Sequence, residues 1–181
     1  MIAWPAHSPR ELLRYPFSPA EFQAVQTWFF VHHLAMVAVM LGFARSGAMG
    51  TGRIMRGAAW VAAIGVALLA VNELNAIRYA EWTLHTANAG ALGAGYGIST
   101  NLVGLGTLVA GIGVLRAKRW TGWHRWVPLA IALVHFVGVT PALFSESFVG
   151  ARIAIVTWVA LFGALGAALI SETRRAAASS N

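Results

Sequence analysis

Five apolar blocks divide this 181-residue chain, each close to the length of a bilayer-crossing helix, with short arginine-bearing loops between most of them. They fall at 27–44, 57–77, within 88–115, at 126–144 and at 149–170. A helix rises about 1.5 Å per residue, so about 20 apolar residues span the hydrocarbon core of a membrane. Lipid offers the backbone no hydrogen-bonding partner, so such blocks must satisfy their own peptide groups as helices. The chain is 58% hydrophobic and 10% charged, against roughly 25% charged residues in a soluble domain. It lacks the polar groups to cover a water-facing surface. The expected fold is all-α: a polytopic membrane protein, a bundle of five transmembrane helices with a short N-terminal interfacial helix. Residues 1–26 then form an extracytoplasmic, interfacial segment, 27–171 the bundle, and 172–181 a cytoplasmic tail without fixed structure.

The charges orient the bundle. Lys and Arg total 13 against six acidic residues, a net +7. In a soluble protein that excess points to nucleic acid. Here nine of the cations (Arg45, Arg53, Arg56, Arg116, Lys118, Arg119, Arg125, Arg174 and Arg175) lie in loops one and three or after the fifth block, and four (Arg10, Arg14, Arg78 and Arg152) lie on the other side. The positive-inside bias places the N-terminus outside and the C-terminus in the cytoplasm, with Arg10 and Arg14 pulling the other way. Trp28, Trp82, Trp120, Trp123 and Trp126 fall near the expected interfaces, as an aromatic belt requires. The expected partner is the lipid bilayer, together with other membrane subunits or a second copy, and not nucleic acid. Arg far exceeds Lys, and Ala and Gly abound, a usage that suggests a GC-rich bacterial genome and hence a bacterial cytoplasmic (inner) membrane. A cleaved signal peptide is not expected, because the first apolar block starts late and no small-x-small site follows it.

Two segments carry helix-start signals. Ser8-Pro9-Arg10-Glu11 and Ser18-Pro19-Ala20-Glu21 each offer a hydroxyl cap, a proline at the first helical position and a carboxylate at the third. The first predicts the interfacial helix bearing Leu12, Leu13 and Tyr15, the second the start of the first span. Pro141 predicts a kink in the fourth span that frees the carbonyl of Val137.

Several catalytic classes are excluded outright. The chain has no cysteine, which removes disulfides, Fe–S clusters and thiolate metal sites. It has no aspartate, which removes a Ser-His-Asp arrangement. The His-Glu-x-x-His spacing of zinc hydrolases is absent, and no nucleophile accompanies the histidines, so an enzyme is not the favoured reading.

Polar groups inside the blocks are costly and so informative. Counted from the N-terminal side of the membrane, His32, His33, Asn72 and Glu73 fall in one shallow layer. Met36 and His135 fall in a deeper one, with Ser99, Thr100 and Asn101 near or below it. The other half of the bundle is almost purely apolar. A carboxylate at the depth of Glu73 must be protonated, paired or wet. His32 or His33 is at a compatible depth to pair with it, while snorkelling or pairing with Arg78 is the plainer alternative. His7, His85 and His124 lie outside the blocks as ordinary surface or interface residues.

His32, Met36 and Met40 recur every four residues and so share a helical face. His and Met together ligate copper or haem iron, which makes His32, Met36 and His135 a candidate metal set, with His32 or His33 opposite His135 as another axial pair. Core packing by a methionine stripe is the competing reading. The glycines of the third block (Gly93, Gly97, Gly104, Gly106, Gly111 and Gly113) suit close helix packing, or else a broken helix that bares backbone to a ligand. Trp60-Val61-Ala62 with Gly65 resembles Trp158-Val159-Ala160 with Gly163, which is either an inverted repeat or a coincidence of a small alphabet.

Two functions are expected from this pattern. The first is a small membrane protein with an outward-facing polar pocket of His32, His33, Asn72, Glu73, Asn101 and His135, lined by spans one, two and four with span three behind. It would bind a small ligand, metal or haem, or handle protons. The alternative is an accessory subunit of a larger membrane complex, without chemistry of its own.

Overall fold

A computed structural model describes residues 6–83, 86–144 and 148–178. Helix α1 spans Pro19–Arg45, α2 Arg53–Arg78 and α3 Ala87–Ala117; α4 (Val127–Val134) and α5 (Thr140–Phe144) form a composite fourth span, and α6 runs from Phe148 to Ala178. Among the described residues, five helical segments are long and apolar enough to cross a membrane. The chain is an all-α bundle, as its apolar blocks require.

The start of α1 follows from its cap. Glu21 N–H donates to Ser18 Oγ at 3.3 Å, and Ser18 N–H donates back to Glu21 Oε2 at 2.7 Å, with Pro19 in the first turn. The buried face of α1 then runs Phe22, Gln26, His33, Met36, Met40 and Phe43, a three-and-four spacing that keeps one stripe inward. Along α2 the buried residues are mostly small, including Ala59, Ala62, Gly65, Val66 and Ala70.

Those small residues let α3 lie almost against the α2 backbone. A Cβ built on Gly106 would sit 2.6 Å from the Ala58 carbonyl, and one on Gly65 would sit 2.7 Å from the Ser99 carbonyl. Gly113 packs on Met55, and Gly104 and Gly111 on the fourth span at His135 and Leu129. The α3 helix is unbroken, so close packing is the role of Gly104, Gly106, Gly111 and Gly113. Gly93 and Gly97 depart from that expectation, because no neighbouring atom lies within 4 Å of their Cβ positions.

Each span packs on the next in sequence, and α6 closes on α1. The contacts of Val39 with Gly166 and of Gly42 with Leu169 advance in step, which makes α1 and α6 parallel. Large apolar side chains such as Ile64, Val137, Val149 and Val156 point away from the bundle, the arrangement that lipid surroundings favour.

The fourth span contains a π turn, His135–Val139, where Thr140 N–H donates to the His135 carbonyl. Pro141 follows and has no N–H to offer Val137. The helix absorbs that missing donor by widening one turn just before the proline.

Three expectations are corrected. The N-terminal interfacial helix is absent: residues 9–16 form a run of turns joined by an isolated bridge from Leu12 to Thr83. Leu13 N–H donates to Trp82 O at 2.9 Å, and Arg14 pairs with Glu81 at 2.9 Å, so this segment is strapped to the end of α2 instead of coiling alone. The tail is helical through Ala178, continuous with α6. His124 is buried, with Nδ1 2.5 Å from Glu172 Oε1, and is no surface residue. Of the two readings of the Trp60 and Trp158 segments, coincidence fits their different burial: Trp60 is 40% exposed and Trp158 4%. His85 and Ser145-Glu146-Ser147 lie outside the described residues.

Candidate functional site

Glu73 projects from the last third of α2 into the bundle and is 6% exposed. Three spans meet around it. From α3, the Tyr96 hydroxyl donates to Glu73 Oε2 at 2.8 Å. From α1, His33 Nδ1 stands 3.6 Å from Glu73 Oε1, beyond a hydrogen bond but within ion-pair reach. Gln26, one helical repeat before His33 on the same buried face, approaches the Tyr96 hydroxyl. The snorkelling alternative and the pairing with Arg78 are not what the structure adopts.

The neighbouring position on α2 makes a second polar link. Asn72 Nδ2 donates to Ser99 Oγ at 3.1 Å, and Ser99 donates to the Gly95 carbonyl at 2.7 Å. A Cβ at Gly95 would sit 2.9 Å from Asn72 Oδ1, so the glycine beside Tyr96 makes room for the amide. Asn72 therefore belongs to the α2–α3 seam.

The strap covers this cluster. Leu13, Phe17 and Phe22 pack with Ala76, Tyr79, Leu92 and Tyr96, while Tyr96 also touches the main core. The two described cavities lie at the opposite, arginine-rich end.

The remaining candidates separate from the cluster. His33, not His32, lies on the buried stripe with Met36 and Met40; His32 sits at its edge, its ring 5.5 Å from that of His33. His135 is 1% exposed and packs on Phe136, on Trp158 and against Gly104. Neither ring nitrogen of His135, nor Trp158 Nε1, has a hydrogen-bond partner among the described residues. Asn101 faces out of the bundle and donates to the Gly97 carbonyl of its own helix at 2.8 Å. Among the described residues no three His, Cys, Asp or Glu side chains converge in a metal-holding group. Met36 and His135 are both buried in the core, 3% and 1% exposed, whereas His32 is half-buried.

Tyr96, Gln26 and Trp158 are the residues that sequence reasoning passed over. Tyr96 carries a signal: it is the one aromatic residue of α3 and stands between Gly95 and Gly97. Gln26 lay one residue before the boundary drawn for the first span, although its spacing of seven to His33 put both on one face.

The chain matches no family model, no curated protein and no solved structure.

Proposed function

We propose that this membrane protein handles protons through the buried His33–Glu73–Tyr96 cluster, with Gln26 as an auxiliary hydrogen-bonding group. The observation that carries the reading is the meeting of an imidazole, a carboxyl and a phenol from three different spans inside an apolar bundle. Ionisable groups are expensive at membrane depth and, where they persist, mark proton or ion routes. The three groups differ in what they can do. A carboxyl accepts or donates, a phenol does both, and an imidazole passes a proton between its two nitrogens. The 3.6 Å separation of His33 from Glu73 is a gap that a small side-chain rotation closes, which suits a relay better than a fixed ion pair. The cation distribution supports a bacterial-type orientation with the cluster towards the outer face and the arginine-rich end in the cytoplasm.

The test is reconstitution into liposomes loaded with a pH-sensitive dye under an imposed gradient. The intact protein is expected to carry protons faster than empty liposomes, and Glu73→Gln to lower that rate on the order of 100-fold. Flux equal to that of empty liposomes would remove the proton reading.

One observation favours the accessory-subunit reading. Asn101, near the middle of α3, is exposed on the periphery of the bundle, and an amide in that position gains most from a neighbouring helix. Copurification from native membranes in mild detergent tests it: a stable partner lost on Asn101→Leu supports the subunit role, and a monodisperse single chain opposes it.

A further inference from the structure

The arginine-rich end of the bundle holds a feature that the polar cluster does not use. The α1–α2 turn closes through Gly47 and Gly50, both with φ near +70°, and leaves a cavity of about 620 Å³ between the end of α1 and the start of α2. Arg45, Arg53, Arg56 and Arg119 line it, with Thr51 and Trp60. Arg119 Nη1 donates to the Gly47 carbonyl at 3.3 Å, which fixes the loop from α3 against the turn. The Arg45 guanidinium lies 5.2 Å from the centre of the Trp60 ring.

No lining residue is acidic. Among the described residues Glu172 is the one carboxylate side chain at this end, and it is taken by His124 and Arg175. Four guanidiniums therefore surround one concavity without a counter-charge. They offer fork-shaped donor sets that match phosphate oxygens, and the uncapped start of α2, with Gly52 at the N-cap position, adds free backbone N–H groups facing the same loop.

We infer that this cavity is a phosphate site, occupied by the headgroup of an anionic phospholipid. Its position at the end of two membrane-spanning helices sets it at headgroup depth. An apolar track leads away from it along α2: Trp60, Ile64 and Leu68 are all exposed on one face, at the four-residue spacing on which an acyl chain can lie. Basic pockets at the cytoplasmic ends of spans hold such lipids by this combination of charge below and apolar surface above.

The experiment uses the full chain in nanodiscs of phosphatidylcholine, titrated with fluorescent phosphatidylglycerol, and compares two double variants. Arg53→Gln with Arg56→Gln removes two exposed lining charges. Lys118→Gln with Arg174→Gln removes two charges from the same end but outside the cavity. The first pair is expected to weaken phosphatidylglycerol binding about tenfold or more, and the second by less than about threefold. Equal losses in both pairs would mean diffuse surface charge and overturn the site, as would no loss in either. Inorganic phosphate at millimolar concentration is expected not to displace the lipid. Displacement by phosphate alone would overturn the lipid as occupant and assign the cavity to a soluble phosphate.

Discussion

Tyr96 on α3 donates its hydroxyl proton to Glu73 Oε2 on α2, at 2.8 Å, in the polar layer that also holds His33 and the Asn72–Ser99 link. The bond joins α2 and α3, whose backbones approach closely at Gly65 and Gly106, and puts a titratable group at their seam. Tyr96→Phe keeps the ring and removes only the donor. The expected cost is about 0.6–1.7 kcal/mol, the range of interhelical hydrogen bonds in membranes. The check is the midpoint of unfolding in mixed detergent micelles. A shift of zero would mean that the bond exchanges freely with solvent and that the cluster is wet in the folded protein. In the liposome assay the same variant is expected to retain part of the flux that Glu73→Gln loses, because His33 still faces the carboxyl.

The α2–α3 seam makes a second prediction, one of steric contrast. Gly106 and Gly163 are both helical glycines in spans, but Gly106 faces the backbone of Ala58 and Ala62, whereas no neighbouring atom lies within 4 Å of a Cβ at Gly163. Gly106→Ala forces the helices apart and is expected to cost about 1–3 kcal/mol. Gly163→Ala meets nothing and gains helix propensity, so it is neutral or stabilising by up to about 1 kcal/mol. Thermal unfolding of the two variants side by side separates a packing role from a general intolerance of side chains in the spans.

Most of the architecture was legible in the sequence because it rests on one physical rule, that a lipid-exposed backbone must be helical and its side chains apolar. The capping box at Ser18 and Glu21 was legible for the same kind of reason: its spacing is a local geometry that no distant contact overrules. Its apparent twin at Ser8 and Glu11 failed because the following segment found a better place. Leu13 and Phe17 bury themselves against Tyr79 and Ala80, and the strap's backbone bonds go to Ala80 and Trp82. At the site, depth counting put Glu73 beside a histidine, but depth says nothing about rotation around the helix axis. That is why depth alone leaves His32 and His33 open as partners, and why it cannot show that Asn101 faces outward or that His135 packs on Phe136 and Trp158.

The join between His124 and Glu172 ties the loop before the fourth span to the last turns of α6. His124 Nδ1 and Arg175 Nη1 both approach Glu172 Oε1, at 2.5 and 2.9 Å. Glu172→Ala leaves a buried imidazole without its partner, at an expected cost of about 1–3 kcal/mol. The local consequence is easier to read than the global one. Trypsin cleavage after Arg174 and Arg175 is expected to accelerate as the end of the helix frays, while cleavage at the α1–α2 turn stays unchanged. If both sites accelerate together, the variant has loosened the whole bundle and the join is not local.

His135 offers a test that separates function from stability. Its two ring nitrogens and Trp158 Nε1 are buried with no hydrogen-bond partner among the described residues, and the imidazole sits on a π turn of the kind that proteins keep at working sites. An unsatisfied polar group in an apolar setting costs about 1–3 kcal/mol. Replacing it with leucine, which fills a similar volume, removes that cost. His135→Leu is therefore expected to raise the unfolding midpoint of the purified protein. A stabilised variant that also loses function in cells would show that the imidazole is held at a stability cost because it works. A destabilised variant would show that the imidazole bonds something in the folded protein, and spectroscopy of the wild-type protein for bound haem or copper would be the next measurement.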